Sequence, residues 1–222
     1  QQEKLALRAA FAARLLQARP GGARRAVSAW LGVREQLGPC LADALAWRMV
    51  ASLAQQMGEP RFQALSRSVL AERPPGDARA SLFDPGFAGL LARHGAPDQA
   101  MLTQQFDQLF GAEQARLAAT LGQIAIPQAS FTAQRMAGKT YEVHYQVGPA
   151  AGEVPPFSVL YVALDPWDGE IPAEALARVD STRAGVLPAS FARGTRVFTA
   201  VERREALLGC SVRLAARRWE VI

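Results

Sequence analysis

The sequence predicts an α+β protein in which an N-terminal antiparallel helical bundle or array is followed by a small, mainly antiparallel β-sheet or sandwich. Up to about residue 121, apolar residues recur at helical spacing between proline and glycine breaks. From Tyr141 onward they alternate with polar residues, which is the pattern of half-buried strands. The spacing of apolar residues changes from helical to alternating near Pro127. We therefore expect a helical domain over residues 1–125 and a β-rich domain over residues 126–222.

Six short helices are predicted in the first part, because proline and glycine interrupt the helical periodicity. The third, about residues 41–57, is apolar around most of its circumference, so we expect it to be buried. The fifth begins at Pro85, after the capping residue Asp84, and a break is expected in the last at Gly111. The spacing of the breaks also suits a helical-hairpin solenoid, but no residue-level repeat supports one, and we favour an irregular bundle.

About five strands are predicted in the second part. Residues 141–147 alternate, and residues 157–164 form an apolar run that is typical of a buried central strand. Residues 195–202 and 207–214 are expected to form a hairpin about the charged turn 202–205. We expect a helix at residues 172–178 and a connector at 124–135, and the C-terminal residues from Trp219 can close a last strand.

Composition indicates a globular, bacterial protein. Half of the residues are hydrophobic and a fifth are charged, which excludes a disordered chain. No segment approaches the roughly 18 consecutive apolar residues of a membrane span. Of the 25 basic residues only Lys4 and Lys139 are lysine, and asparagine is absent, a bias typical of a GC-rich bacterial genome.

The net charge of +5 is segmental: residues 1–80 and 175–222 are basic, whereas residues 81–174 are acidic. This pattern suits internal pairing or a polar protein partner better than a continuous phosphate-binding groove. Protein partners are therefore expected, and nucleic acid is a less favoured alternative. We interpret Cys40 and Cys210 as buried thiols, because a single cysteine in each half does not suggest a disulfide framework.

If the chain is an enzyme, the first candidates for acid–base chemistry are His144, Asp165 and Asp168. His144 lies on the polar face of its predicted strand, and the two aspartates follow the apolar strand in a loop. Asp-Pro and Asp-Gly pairs are also what a tight turn requires, and we favour that interpretation. No metal-ligand spacing and no phosphate-binding loop in its proper context are present, so neither a metal nor a cofactor is expected.

Five residues are candidates for binding a partner. Trp167 lies at a predicted turn tip, where a large aromatic side chain either folds back onto the core or contacts another molecule. The basic and aromatic residues of the C-terminal hairpin can stack on or pair with a nucleic acid or an acidic protein. Solvated strand-edge charge is the simpler interpretation. The C-terminal residues concerned are Arg213, Arg217, Arg218 and Trp219.

The leading hypothesis is a non-enzymatic bacterial accessory or assembly protein that binds other proteins through its helical part. The first alternative is a hydrolase or transferase with a site at the junction of the two parts, where pockets commonly form. The second alternative is nucleic-acid binding through the basic C-terminal hairpin. A cytoplasmic location is slightly favoured, with a periplasmic or membrane-anchored location as the alternative if a leader precedes Gln1.

Overall fold

The computed structural model of the chain describes residues 2–18, 22, 26, 30–72, 85–124, 129–135, 140–147, 157–164, 176–181, 184–190 and 196–220. The chain divides into two compact units, Gln1–Gly122 and Gln123–Ile222. Helices in the first part and antiparallel sheet in the C-terminal part are confirmed. An antiparallel helical bundle or array, a β-sandwich and a domain boundary at residue 125 stay predictions.

The described residues of the first unit form six helices of two turns or more and one single-turn helix. They are α1 (Gln2–Gln17), α2 (Trp30–Leu37), α3 (Pro39–Met57), α4 (Glu59–Glu72), α5 (Pro85–Arg93), α6 (Gln99–Arg116) and α7 (Ala118–Leu121). Gly38 and Gly58 separate α2, α3 and α4 at φ 77° and 76°, in the left-handed region that favours glycine. Asp84, the expected cap of α5, lies outside the described residues.

In the last long helix, the predicted helix break is wrong. α6 continues through Gly111 and ends at Arg116, with Leu117 as its C-cap. A glycine inside a helix costs only about 1 kcal/mol relative to alanine, and the buried side chains of Phe110 and Glu113 on either side of Gly111 outweigh that cost. At the N-terminus of α6, the side chain of Asp98 accepts a hydrogen bond from the Met101 amide at 2.8 Å and caps the helix.

The core of the helical unit is built around α1. Its seven buried residues include four alanines, which permit close approach of neighbouring backbones, and Phe11 is 1% exposed. α1 contacts both α3 and α6. The expectation that the third helix is buried on all sides is wrong, because α3 packs on one face and exposes Trp47 and Val50 on another.

The second unit contains two antiparallel sheets in the part of the chain that the structure describes. One has the order β1-β2-β5 and the other the order β4-β3-β6-β7, and the edge strands β1 and β7 contact one another. β3 pairs with β4 on one side and β6 on the other, so the predicted central strand is confirmed. The strands are β1 (Ala129–Arg135), β2 (Thr140–Val147), β3 (Phe157–Leu164), β4 (Leu176–Ser181), β5 (Ala184–Ser190), β6 (Arg196–Glu205) and β7 (Cys210–Glu220).

The predicted count of five strands is wrong, since seven are described. β1 occupies part of the predicted connector. β4 includes residues 176–178 of the predicted helix, and the rest of that segment lies outside the described residues. Residues of β4 pair in register with β3 from Phe157 to Val162, and this ladder overrides the helix propensity of an alanine-rich segment.

The predicted C-terminal hairpin is confirmed, but its turn lies elsewhere. β6 extends to Glu205, and the chain turns at residues 206–209. Gly209 closes the turn at φ 64°, and its amide donates to the Glu205 carbonyl at 2.8 Å. The charged residues assigned to the turn lie in the strand instead, where Glu202 binds Arg213 and Glu205 binds Arg203.

Neither cysteine is a free thiol. Cys40, the second residue of α3, and Cys210, the first residue of β7, are each disulfide-bonded and half-buried. The interpretation of both as buried reduced thiols is therefore wrong. A count of two cysteines in a long chain carries almost no information about oxidation, because pairing depends on the spatial approach of the two Cβ atoms.

Candidate functional site

An exposed apolar surface lies on α3, in the described part of the helical unit. Trp47 is 45% exposed and Val50, one turn later, is 48% exposed. The opposite face of α3 is fully used, since Leu41 and Leu45 are buried. α3 therefore carries more apolar side chains than its core-facing side accommodates, and the surplus is presented to solvent.

A cavity of about 120 Å³ lies beside this surface. Its described lining comes from α2, α3, α5 and α6 together with the helical residue Ala26. Every lining side chain that the structure describes belongs to an apolar or aromatic residue. They are Ala26, Trp30, Ala46, Met49, Val50, Leu53, Leu91, Leu102 and Phe106.

One wall of the cavity belongs to a single buried stripe along α6. Leu102, Phe106, Phe110 and Glu113 recur at helical spacing and are all buried. The rings of Phe106 and Phe110 are stacked, with centroids 6.3 Å apart and planes inclined by 12°. The stripe is thus apolar beside the cavity and ends at the carboxylate of Glu113, two helical turns after Phe106.

Glu113 connects α6 to α3 through Arg48. The Nε and Nη2 atoms of Arg48 both donate to Oε1 of Glu113, the first at 3.1 Å. Nη2 of Arg116 donates to Oε2 at 2.8 Å. Glu113 is 6% exposed. Its charge is balanced by two guanidinium groups, and both of its carboxylate oxygens accept hydrogen bonds.

The pKa of Glu113 lies below its usual value. Burial alone raises the pKa of this carboxyl, because it disfavours the charged form. The hydrogen bonds and positive charges of Arg116 and Arg48 outweigh burial and lower the pKa. Glu113 is therefore ionised at neutral pH and acts as a structural anion between α3 and α6, the two helices that supply most of the cavity lining.

His94 and Ser68 form a second polar contact that the sequence did not indicate as a pair. His94 follows the end of α5, and its Nε2 lies 2.9 Å from Oγ of Ser68 in α4. This distance is the separation of a nucleophile and its base. Among the described residues Ser68 is the sole side-chain partner of His94, so no carboxylate there orients the ring, and the contact serves to join α4 to α5.

Of the three predicted catalytic residues, only His144 lies among the residues that the structure describes. His144 lies in the middle of β2, opposite Thr132 and Val186, in the three-stranded sheet. Asp165 and Asp168 lie outside the described residues, after β3 of the other sheet. Within the described ranges, no cluster of three or more histidine, cysteine or acidic residues is arranged to hold a metal ion.

Among the predicted binding residues, Arg213 is engaged inside the hairpin. Its Nε donates to Oε1 of Glu202 at 2.9 Å, its side chain is 9% exposed, and its guanidinium lies 5.0 Å from the centre of the Phe198 ring. This geometry favours neither a solvated charge nor contact with a polyanion.

The other predicted binding residues are less closely defined. Arg217, Arg218 and Trp219 lie in the edge strand β7, opposite Thr199, Phe198 and Val197 of β6. Trp167 lies outside the described residues. A role for these four residues in binding a partner stays a prediction.

Replacement of Glu113 by glutamine should destabilise the protein and reduce its sensitivity to acid. Because the pKa is lower in the folded than in the unfolded state, the stabilisation is complete above the unfolded value of about 4.3 and is lost as pH falls through the folded value. We expect E113Q to lower the free energy of unfolding by about 1–3 kcal/mol at pH 7. Denaturant unfolding between pH 3 and pH 7 measures both effects.

The matched control is Asp43→Asn, because the Arg34–Asp43 pair spans 4.0 Å between two exposed side chains. That substitution should change stability by less than about 0.5 kcal/mol. A difference between the parent protein and E113Q that is the same at pH 3 and pH 7 would contradict the assignment of this acid sensitivity to Glu113.

Comparison with known proteins adds no family to this description. No protein-family model matches the chain, and no curated protein matches it. The features of the described residues that bear on function are the apolar surface of α3, the cavity beside it and the Glu113 contact that joins α3 to α6.

Proposed function

We propose that this chain is a non-enzymatic bacterial accessory or assembly protein that binds an amphipathic helix of a protein partner. The binding surface is the exposed apolar face of α3 with the adjoining cavity between α3 and α6. The observation that carries the proposal is the exposure of Trp47 and Val50 beside a cavity whose described lining is apolar. We refer to Trp47, Val50 and the cavity as the apolar groove.

Leaving large apolar side chains exposed to water is unfavourable in free energy. Burial of a side chain of this size contributes about 1.5–3 kcal/mol, so a surface that exposes two of them one turn apart can gain from being covered. Tryptophan is among the residues that contribute most to binding energy at protein interfaces. Met101, at the start of α6, is 52% exposed and adds a flexible apolar side chain to the helix that forms the opposite wall.

The shape of the apolar groove suits a helical partner. A groove between two helices accepts the apolar face of a third helix, whose side chains enter at helical spacing. The Glu113–Arg48 contact holds α3 against α6 and so maintains the groove in the absence of a partner. A groove that is already formed avoids part of the ordering cost of binding.

The two alternatives receive less support. For the enzyme alternative, His144 is the one candidate among the described residues, since Asp165 and Asp168 lie outside them. For nucleic-acid binding, Arg213 is neutralised by Glu202 and largely buried. None of the helices in the described residues is both long and apolar enough to cross a membrane.

We further propose that the protein works in an oxidising compartment, because structural disulfides persist there and are rare in the cytosol. The support is that Cys40 and Cys210 are both disulfide-bonded. Protein purified from its native organism, denatured without reductant and titrated with a thiol reagent, should show no free thiol. Two free thiols per chain would contradict this compartment and favour the cytosol.

Site-specific photo-crosslinking tests the binding surface. Benzoylphenylalanine incorporated at Val50 should give a discrete adduct with a partner protein in the native organism. The same amino acid at Ala71, an exposed position of α4, should give none. Adding Trp47→Ala should lower the adduct yield about tenfold or more, since truncating an interface tryptophan commonly costs 2 kcal/mol or more.

Three results would contradict the proposal. One is an identical adduct pattern from Val50 and Ala71, which would indicate encounter rather than a site. Another is an adduct yield that Trp47→Ala leaves unchanged. The third is an adduct that joins two copies of this chain, because the groove would then be a dimer interface.

A further inference from the structure

We infer that β4 pairs antiparallel with β4 of a second copy of this chain, about a twofold axis that passes at Val179. The two four-stranded sheets then continue into one another across the axis. The inference goes beyond the proposed function, because β4 belongs to the sheet unit whereas the apolar groove belongs to the helical unit.

The position of β4 in its sheet makes it suitable for adding a strand. β4 is the end strand of the four-stranded sheet, and among the described strands it pairs with β3 alone. The other edge strands are less suitable. β1 and β7 contact one another, and β5 contains Pro188, which has no backbone amide to donate. An edge strand without proline presents amides and carbonyls that can bind the backbone of a further strand.

The charged residues of β4 favour one antiparallel register. Opposed residues of two antiparallel strands share a face of the sheet, so a twofold axis perpendicular to the sheet passes at a residue position. With the axis at Val179, Arg178 of each copy lies opposite Asp180 of the other, and two pairs of opposite charge form. With the axis at Arg178 or Asp180, that residue faces its own copy and like charges are opposed. Axes further from the centre pair fewer residues of the strand.

The ladder within the sheet provides no opposite charge at these two positions. Arg178 lies opposite Leu160 of β3, and Asp180 lies opposite Ser158. A second copy provides the missing charge at both positions at once, because the order of the two charges is reversed across a twofold axis. A surface patch that is complementary to itself in this way is the requirement for an isologous dimer.

Sedimentation of the full chain tests the contact. A single short strand from each copy makes a small interface, so we expect a reversible dimer with a dissociation constant on the order of 100 µM. Arg178→Asp and Asp180→Arg each place like charges opposite one another in both pairs and should weaken the dimer about tenfold or more. The control is Arg61→Asp, at an exposed position of α4, which changes the net charge as Arg178→Asp does and should leave the dimer unchanged.

Mixing the two charge variants gives the sharpest result. A heterodimer of Arg178→Asp with Asp180→Arg has opposite charges in both pairs, so an equimolar mixture should dimerise about as well as the parent although neither variant does so alone. The double substitution R178D/D180R should also restore the homodimer. A general effect of charge or of damage to the fold would not be repaired by mixing.

If a single variant does not fold, hydrogen exchange of the parent protein keeps the test decisive. Exchange of the β4 amides should slow as the protein concentration rises from about 5 µM to about 500 µM, whereas exchange in β5 should not change. A parent that stays monomeric over this range overturns the inference. So do charge variants that dimerise like the parent, an equimolar mixture that stays monomeric, or β4 exchange that does not depend on concentration.

Discussion

The contact between Glu113 and Arg48 is the constraint that joins α3 to α6. A carboxylate that is 6% exposed cannot remain ionised without partners, and its two arginines come from α6 itself and from α3. The contact therefore links the two helices that supply most of the described cavity lining, both of which also pack on α1. An apolar pair at these positions could pack at several offsets. Nε and Nη2 of Arg48, in contrast, must both point to Oε1 of Glu113 to make their hydrogen bonds.

The exposure of Trp47 and Val50 follows from how α1 fills the interior of the unit. α1 is buried along most of its length and contacts α3 and α6, so α3 uses Leu41, Leu45 and Met49 for the core. Trp47 and Val50 of α3 remain about half exposed, whereas Ala42, Ala44 and Met57 are also buried. The same surplus that makes α3 unusual as a structural helix makes it suitable as a binding surface.

Much of the fold could be predicted from local signals, and the errors arise where non-local contacts decide. Glycine and proline located the ends of α2 to α5, because left-handed backbone at Gly38 and Gly58 and the fixed φ of Pro39 and Pro85 are local properties. β4 was predicted in part as a helix because the periodicity of its own residues does not show that they pair with β3. The site was missed because the sequence of α3 shows apolar residues on two sides of the helix but does not show which side the core covers.

The central claim is that the apolar groove is open in the free protein and covered by a partner. The most direct measurement uses the full chain labelled with fluorotryptophan, with the signal of Trp47 assigned by Trp47→Phe. A soluble paramagnetic reagent should relax the Trp47 signal strongly in the free protein, and addition of the partner identified by crosslinking at Val50 should restore it. A Trp47 signal that is already protected in the free protein, or that stays unprotected when the partner is bound, would contradict the account.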